Sequence, residues 1–193
     1  MGCDIHLYRE KFVNDQWLTA DKWVPYDYGD DEKGIEVPWE ERFTDRNYDL
    51  FGLLSKGVRR IHPFSFEPRG LPFDPSPEIA AESARWGEDG HSHSYLFLHE
   101  LKAMARYVKG ATIRIAGMKQ QDELAALRAS IESGNPDWNL IFPYCQSTNA
   151  RDYVDFEIDV PADFYFSDPL QRIIASFDGV EGENHRIVFF FDN

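Results

Sequence analysis

The stretch Tyr153-Val154-Asp155-Phe156-Glu157-Ile158-Asp159-Val160 alternates without a break between apolar and acidic side chains. Side chains in extended backbone repeat with period two, so Asp155, Glu157 and Asp159 share one face and the apolar residues the other. That pattern fits a strand packed on one side and wetted on the other, as antiparallel sheets allow. The same reading applies at the start of the chain. Across residues 3 to 13, Cys3, Ile5 and Leu7 fall on one face, with Asp4, His6 and Tyr8 on the opposite one. Asn14-Asp15 reads as a turn, and Gln16 to Val24 as the returning strand, with Trp17 and Trp23 for packing.

The chain thus opens with a β-hairpin. Residues 25 to 44, rich in acids, Gly and Pro, read as a surface loop. Asp45 or Asn47 would cap a short helix to about Lys56, with Leu50, Phe51 and Leu54 buried and Gly57 at its end. The proline-rich stretch 63 to 90 reads as a long ordered loop with one helical fragment at Pro77 to Arg85, held down by Phe64, Phe66, Phe73 and Trp86. Ser94 would cap a helix to about Lys109, with Phe97, Leu101, Met104 and Val108 as its stripe. Thr112 to Ala116 is short and β-branched, and a second helical pattern runs from Lys119 to Ser133. Strands are expected at Leu140 to Tyr144 and Arg186 to Phe191, with a short helix at Pro169 to Phe177 capped by Ser167 or Asp168. Strands, then helices, then strands point to an α+β fold. A single domain over 1-193 is expected, built on a mainly antiparallel sheet with an N-terminal β-hairpin, a C-terminal strand, three to five helices and a helical insertion at 111-135.

Charge narrows the partners. With 34 acidic residues against 20 basic ones the net charge is -14, so the averaged field repels DNA, RNA and anionic lipid, and general nucleic-acid binding is not expected. An acidic surface leaves room for a basic partner. At 15% aromatic residues the chain is not a disordered tail. The N-terminus has no basic stretch followed by an apolar one, and the apolar run Ile187 to Phe191 is far too short to span a bilayer. Cys3 and Cys145 are therefore read as reduced thiols in a soluble, cytoplasmic protein without membrane attachment.

The chemistry-bearing residues gather in two places. In Asp89-Gly90-His91-Ser92-His93-Ser94, an extended backbone would point His91 and His93 to the same side. Asp4 and His6 share a face of the first strand. Imidazole nitrogens with carboxylate oxygens suit a divalent metal, so Asp4, His6, His91 and His93 are the candidate ligands for zinc or manganese, with Asp89 as a further ligand or the catalytic base. The bland alternative is a polar turn before a helix. Arg46, Arg59, Arg60 and Arg69 form the candidate site for a small phosphorylated ligand, since a guanidinium offers a fixed fork of donors. Their bland alternative is that they balance nearby carboxylates. Cys3 lacks a base on its own strand face, Ser92 and Ser94 lack a nucleophile elbow, and no phosphate-cradling or dinucleotide glycine motif is present.

Two resemblances bear on these residues. Asp4-Ile5-His6 and Gly90-His91-Ser92-His93 resemble the first and last signatures of calcineurin-like metallophosphoesterases. That family places Gly-Asn-His between the two, whereas here Gly182-Glu183-Asn184-His185 follows both, so the likeness is one of chemistry and not of membership. More of the chain is covered by the other. Met1-Gly2-Cys3-Asp4-Ile5-His6, Arg46 to Phe51, Arg69-Gly70-Leu71-Pro72, Asp89 to Ser94 and the terminal Phe190-Phe191-Asp192-Asn193 resemble a family of uncharacterised tailed-phage and prophage proteins. This implies a viral or prophage origin, a host-cytoplasm setting and no particular activity. From the residues, the expected function is a metal-dependent hydrolase of a phosphorylated small molecule or nucleotide. The rival is a non-enzymatic phage protein that binds a host factor or sequesters a nucleotide.

Overall fold

The computed structural model describes residues 2-29, 32-59, 62-177 and 184-192. The chain falls into two compact units, one of residues 1-105 with 168-193 and the other of residues 106-167.

The first unit is organised on its last strand. In β1 (Asp4–Val13), β2 (Gln16–Thr19), β5 (His91–Phe97) and β8 (His185–Asp192) the sheet order is β2-β1-β8-β5, antiparallel throughout. Asn14 and Asp15 both take positive φ, 50° and 62°, as the tight hairpin between β1 and β2 requires. Because β8 is central, its side chains are covered on both faces, which is why Ile187 to Phe191 is a continuous apolar run and not an alternating one. Helix α1 (Tyr48–Leu54) covers one face, with Phe51 against Phe191 at 5.2 Å between ring centroids. The Asn47 side chain accepts from the backbone N–H groups of Asp49 and Leu50 and so caps it as expected. Helix α2 (Pro77–Trp86) covers the other face, where Ile79 joins Tyr8, Val37, Val188 and Phe190 in one buried cluster.

Two expectations for this unit fail. Residues 25 to 44 are not simply a loop: β3 (Val24–Gly29) and β4 (Glu32–Glu36) form an antiparallel hairpin, followed by a 3-10 turn at Trp39–Glu41. The acidic residues hid the pairing of Pro25 with Ile35 and Tyr26 with Gly34. A Cβ on Gly34 would meet the Tyr28 ring at 2.9 Å, so glycine serves packing there and not a loop. Nor does Ser94 cap a helix. It lies buried in β5, and α3 (Leu98–Val108) begins later, with the Glu100 carboxylate accepting the backbone N–H of Phe97. Aromatic Tyr95 and Phe97 pair along β8 as strand residues, and that tertiary pairing overrides the helical periodicity.

The long stretch ahead of α2 is tied down by charge. Arg186, 3% exposed, donates to Glu10, 0% exposed, at 2.6 Å, and to the Asp74 carboxylate and carbonyl at 3.1 Å each. The remaining Glu10 oxygen accepts the backbone N–H of Ser76. Arg186 also lies over the Trp17 ring at 3.9 Å.

In the second unit β6 (Thr112–Gln120) pairs antiparallel with β7 (Tyr153–Pro161), with α4 (Gln121–Glu132) between them in the chain. Asp155, Glu157 and Asp159 are exposed and Phe156 and Val160 buried, as the alternation requires. Leu140 to Tyr144 is not a strand. A 3-10 helix spans Trp138–Ile141, and the buried Lys119 ammonium donates to the carbonyls of Ile141 and Pro143 at 3.3 and 2.6 Å. Helix α5 (Asp163–Ala175), whose residues from Asp168 on belong to the first unit, starts well before Pro169, which sits inside it, and Phe166, Leu170 and Ile173 are among its buried residues. A proline in a helix removes one N–H, so here it did not mark the start that the sequence suggested. The fold is α+β with antiparallel sheets, and no helix among the described residues is long and apolar enough to cross a membrane.

Candidate functional site

Register builds the candidate site. Along the β1-β8 ladder Asp4 lies opposite Asp192 and His6 opposite Phe190, so the even-numbered side chains of both strands share the face covered by α2. The Asp4 backbone N–H donates to Asp192 Oδ1 at 3.0 Å, and His6 Nε2 lies 3.2 Å from Asp192 Oδ2. The His6 ring is packed between Trp86 and Phe190, at 4.4 and 4.8 Å between centroids. Burial pushes its pKa below the usual histidine value, and the Asp192 carboxylate offsets only part of that. The ring is therefore neutral near pH 7. With Nε2–H donating to Asp192, its lone pair sits on Nδ1.

Arg46 grips the Asp4 carboxylate with both arms, Nε at 2.8 Å and Nη2 at 2.5 Å, and holds that carboxyl below the usual range. These groups border a cavity of about 530 Å³, within the range of small-molecule sites, walled by Trp39, Phe43 and Trp86. Arg42 stiffens its rim by donating to the Val37 carbonyl at 2.5 Å and to the Glu36 carboxylate. Behind the cavity the buried Glu82 carboxylate accepts from Tyr8 Oη at 3.3 Å, Trp86 Nε1 at 3.0 Å and both arms of Arg85. Burial opposes its ionisation, but the bonds from Arg85 and Trp86 win and leave its pKa lowered. Burial in turn raises that of Tyr8, which stays a phenol.

The structure brings Asp4, His6 and Arg46 together but not the remaining sequence candidates. His93 also lies on the α2 face, yet its ring stacks on Phe190 at 4.8 Å from the β5 side, and its Nε2 meets Ser83 Oγ at 2.9 Å. The Phe190 ring thus stands between His6 and His93. His91 is on the opposite face, stacked with Phe191, and its Nδ1 lies 3.0 Å from Ser92 Oγ. The expectation that His91 and His93 point to one side fails because β5 slips register between His91 and Ser94, with Ser92 at φ 52°. Such a bulge adds a residue to one strand and reverses the alternation.

Asp89 is exposed and borders no part of the cavity. Among the described residues no group of three or more His, Cys, Asp and Glu is placed to hold a metal ion. Arg69 is bidentate to Glu100 at 2.9 and 2.6 Å, Arg59 lies over the Tyr48 ring at 5.1 Å, and Arg60 falls outside the described residues. Burial raises the pKa of the Cys3 thiol, which suits packing better than attack.

Sequence reasoning missed Asp192, Trp39, Arg42 and Trp86 as neighbours of His6. For Asp192 a signal existed: the polar residue closing an apolar terminal strand falls opposite Asp4 once β1 and β8 are paired end to end. No family model matches the chain, and neither curated proteins nor solved structures yielded a match.

Proposed function

We propose that the cavity beside β1 binds a small molecule and that His6 is its general base in a hydrolytic reaction. One observation carries this: an imidazole with Nε2 at 3.2 Å from a carboxylate, on the border of a cavity of ligand size. In this reading Nδ1 of His6 takes a proton from the attacking water. Asp192 holds the ring and stabilises the imidazolium that forms. Arg46 keeps Nη1 for a substrate oxygen while Nε and Nη2 hold Asp4. The likeness to tailed-phage and prophage proteins would set the reaction in the cytoplasm of a bacterial host.

A second reading, a binding pocket without chemistry that sequesters its ligand, is favoured by the internal pairing of the charges: Asp4 with Arg46, Asp192 with His6 and Asp45 with Arg172. Turnover separates the two. Against a panel of ester and nucleotide substrates, His6→Gln should lower kcat by about a hundredfold or more, with the acid limb of the pH-rate profile falling below the usual histidine pKa. An active wild type unaffected by His6→Gln would refute the assignment. Elemental analysis of tag-free protein belongs beside this assay: stoichiometric zinc or manganese lost on His91→Ala would reinstate the four-ligand site.

A further inference from the structure

Trp39 is an exposed indole on a clamped turn. It is 68% exposed, yet the 3-10 turn that carries it is closed by the Glu41 N–H donating to the Pro38 carbonyl at 2.9 Å and flanked by the Arg42 bonds to Val37 and Glu36. A large apolar ring on a backbone that is already held offers a face to stack on without the turn itself having to be ordered. Phe43 and Trp86 add two further π-systems to the same lining.

The charge of the lining works against a phosphate. It holds three carboxylates, Asp4, Asp45 and Asp192, against two guanidiniums, Arg42 and Arg46, an excess of one negative charge with His6 neutral. Both guanidiniums are already committed to Glu36 and Asp4. A phosphate would meet repulsion and would have to displace a carboxylate to gain a fork of donors. A free sugar gains less, because it has no flat face to set against Trp39, Phe43 and Trp86, and each Asp192 and Asp4 oxygen already accepts one bond. A flat ring needs faces to stack on and only two or three edge contacts, for which His6 Nδ1 and Arg46 Nη1, on side chains that border the cavity, are the candidates.

From this we infer that the cavity takes an uncharged planar heteroaromatic ligand, of the nucleobase or unphosphorylated nucleoside class, stacked on Trp39. This rests on the reading of the cavity as a ligand site and is independent of the base role of His6. The test is equilibrium binding, by calorimetry and tryptophan quenching, of adenosine, guanosine, cytidine and uridine, each with its 5′-monophosphate, and of methyl glucoside as a sugar. At least one nucleoside should bind saturably and roughly tenfold more tightly than its monophosphate, with Trp39→Ala weakening it roughly tenfold and Trp39→Phe restoring most of it. Saturable binding of none of the nucleosides, a monophosphate binding equally or better, preferential binding of the glucoside, or indifference to Trp39→Ala would overturn the inference. Because the readout is binding, absence of turnover would leave it standing. Hydrolysis of a non-aromatic substrate without nucleoside binding would overturn it alone.

Discussion

The β1-β8 ladder carries two polar clusters on one face, and they are built to different ends. At one end Glu10 and Arg186 are almost fully buried, and their main donors and acceptors meet a protein partner in Asp74, Ser76 or each other. At the other end His6 and Asp192 keep 18% and 19% of their side-chain surface, Asp4 is half exposed, and the group borders a cavity. The same strand face with the same alternation thus gives a clamp where the stretch before α2 closes directly onto it and a cavity where residues 39 to 46 border it. A buried, fully satisfied ion pair fixes structure. A half-covered pair beside a void retains atoms for a ligand.

Removing one partner at the closed end is the largest perturbation. Arg186→Met strands the Glu10 carboxylate without water or a counter-charge, and chemical denaturation should show a loss of about 3–5 kcal/mol, with the loop before α2 becoming protease-sensitive. Asp192→Asn at the open end should cost about 1 kcal/mol or less, because the amide oxygen can still accept from His6 and water reaches the rest. Equal losses at both ends would mean that the open cluster is structural too.

A smaller effect is read by pH. Burial lowers the pKa of both His6 and His93, with the charge of His91 adding to the effect at His93. Their neutral forms are favoured in the fold, and the unfolded chain takes up these protons first, near pH 6.5. The stability they confer is complete above about pH 6.5 and falls as the pH drops through that value. It stops falling once the pH passes below their lowered native values. His185, lowered by burial and by Lys11, adds to the same window. Asp4, Glu82 and Glu100 are lowered carboxyls, so their contribution is present above the usual carboxylate range and disappears only in stronger acid. Melting temperatures between pH 8 and 5 should decline, and less steeply in His6→Gln. A flat profile in the wild type would count against burial of the two rings.

What the sequence disclosed follows from what is local. The Asn14-Asp15 turn, the Asn47 cap and the alternating β7 depend on residues near one another and took the expected form, although the returning strand ends at Thr19 and not at Val24, which opens β3. The site did not, because it rests on pairing across the whole length of the chain. Asp4 meets Asp192 only through the β1-β8 register, and the separation of His91 from His93 depends on a bulge that no residue type announces. Arg69 and Arg46 could be recognised as cations, but not that Glu100 and Asp4 would hold them. Tyr26 and Ile35 offered a strand pattern that the surrounding acids outweighed.

Nitrogen-detected NMR of the imidazole tests directly whether His6 is neutral and held through Nε2 by Asp192. His6 should be the Nε2–H tautomer, titrate below the usual histidine value, and titrate lower still in Asp192→Asn, because the carboxylate is what holds its pKa up against burial. An Nδ1–H tautomer, a pKa at or above the usual value, or no response to Asp192→Asn would contradict the account.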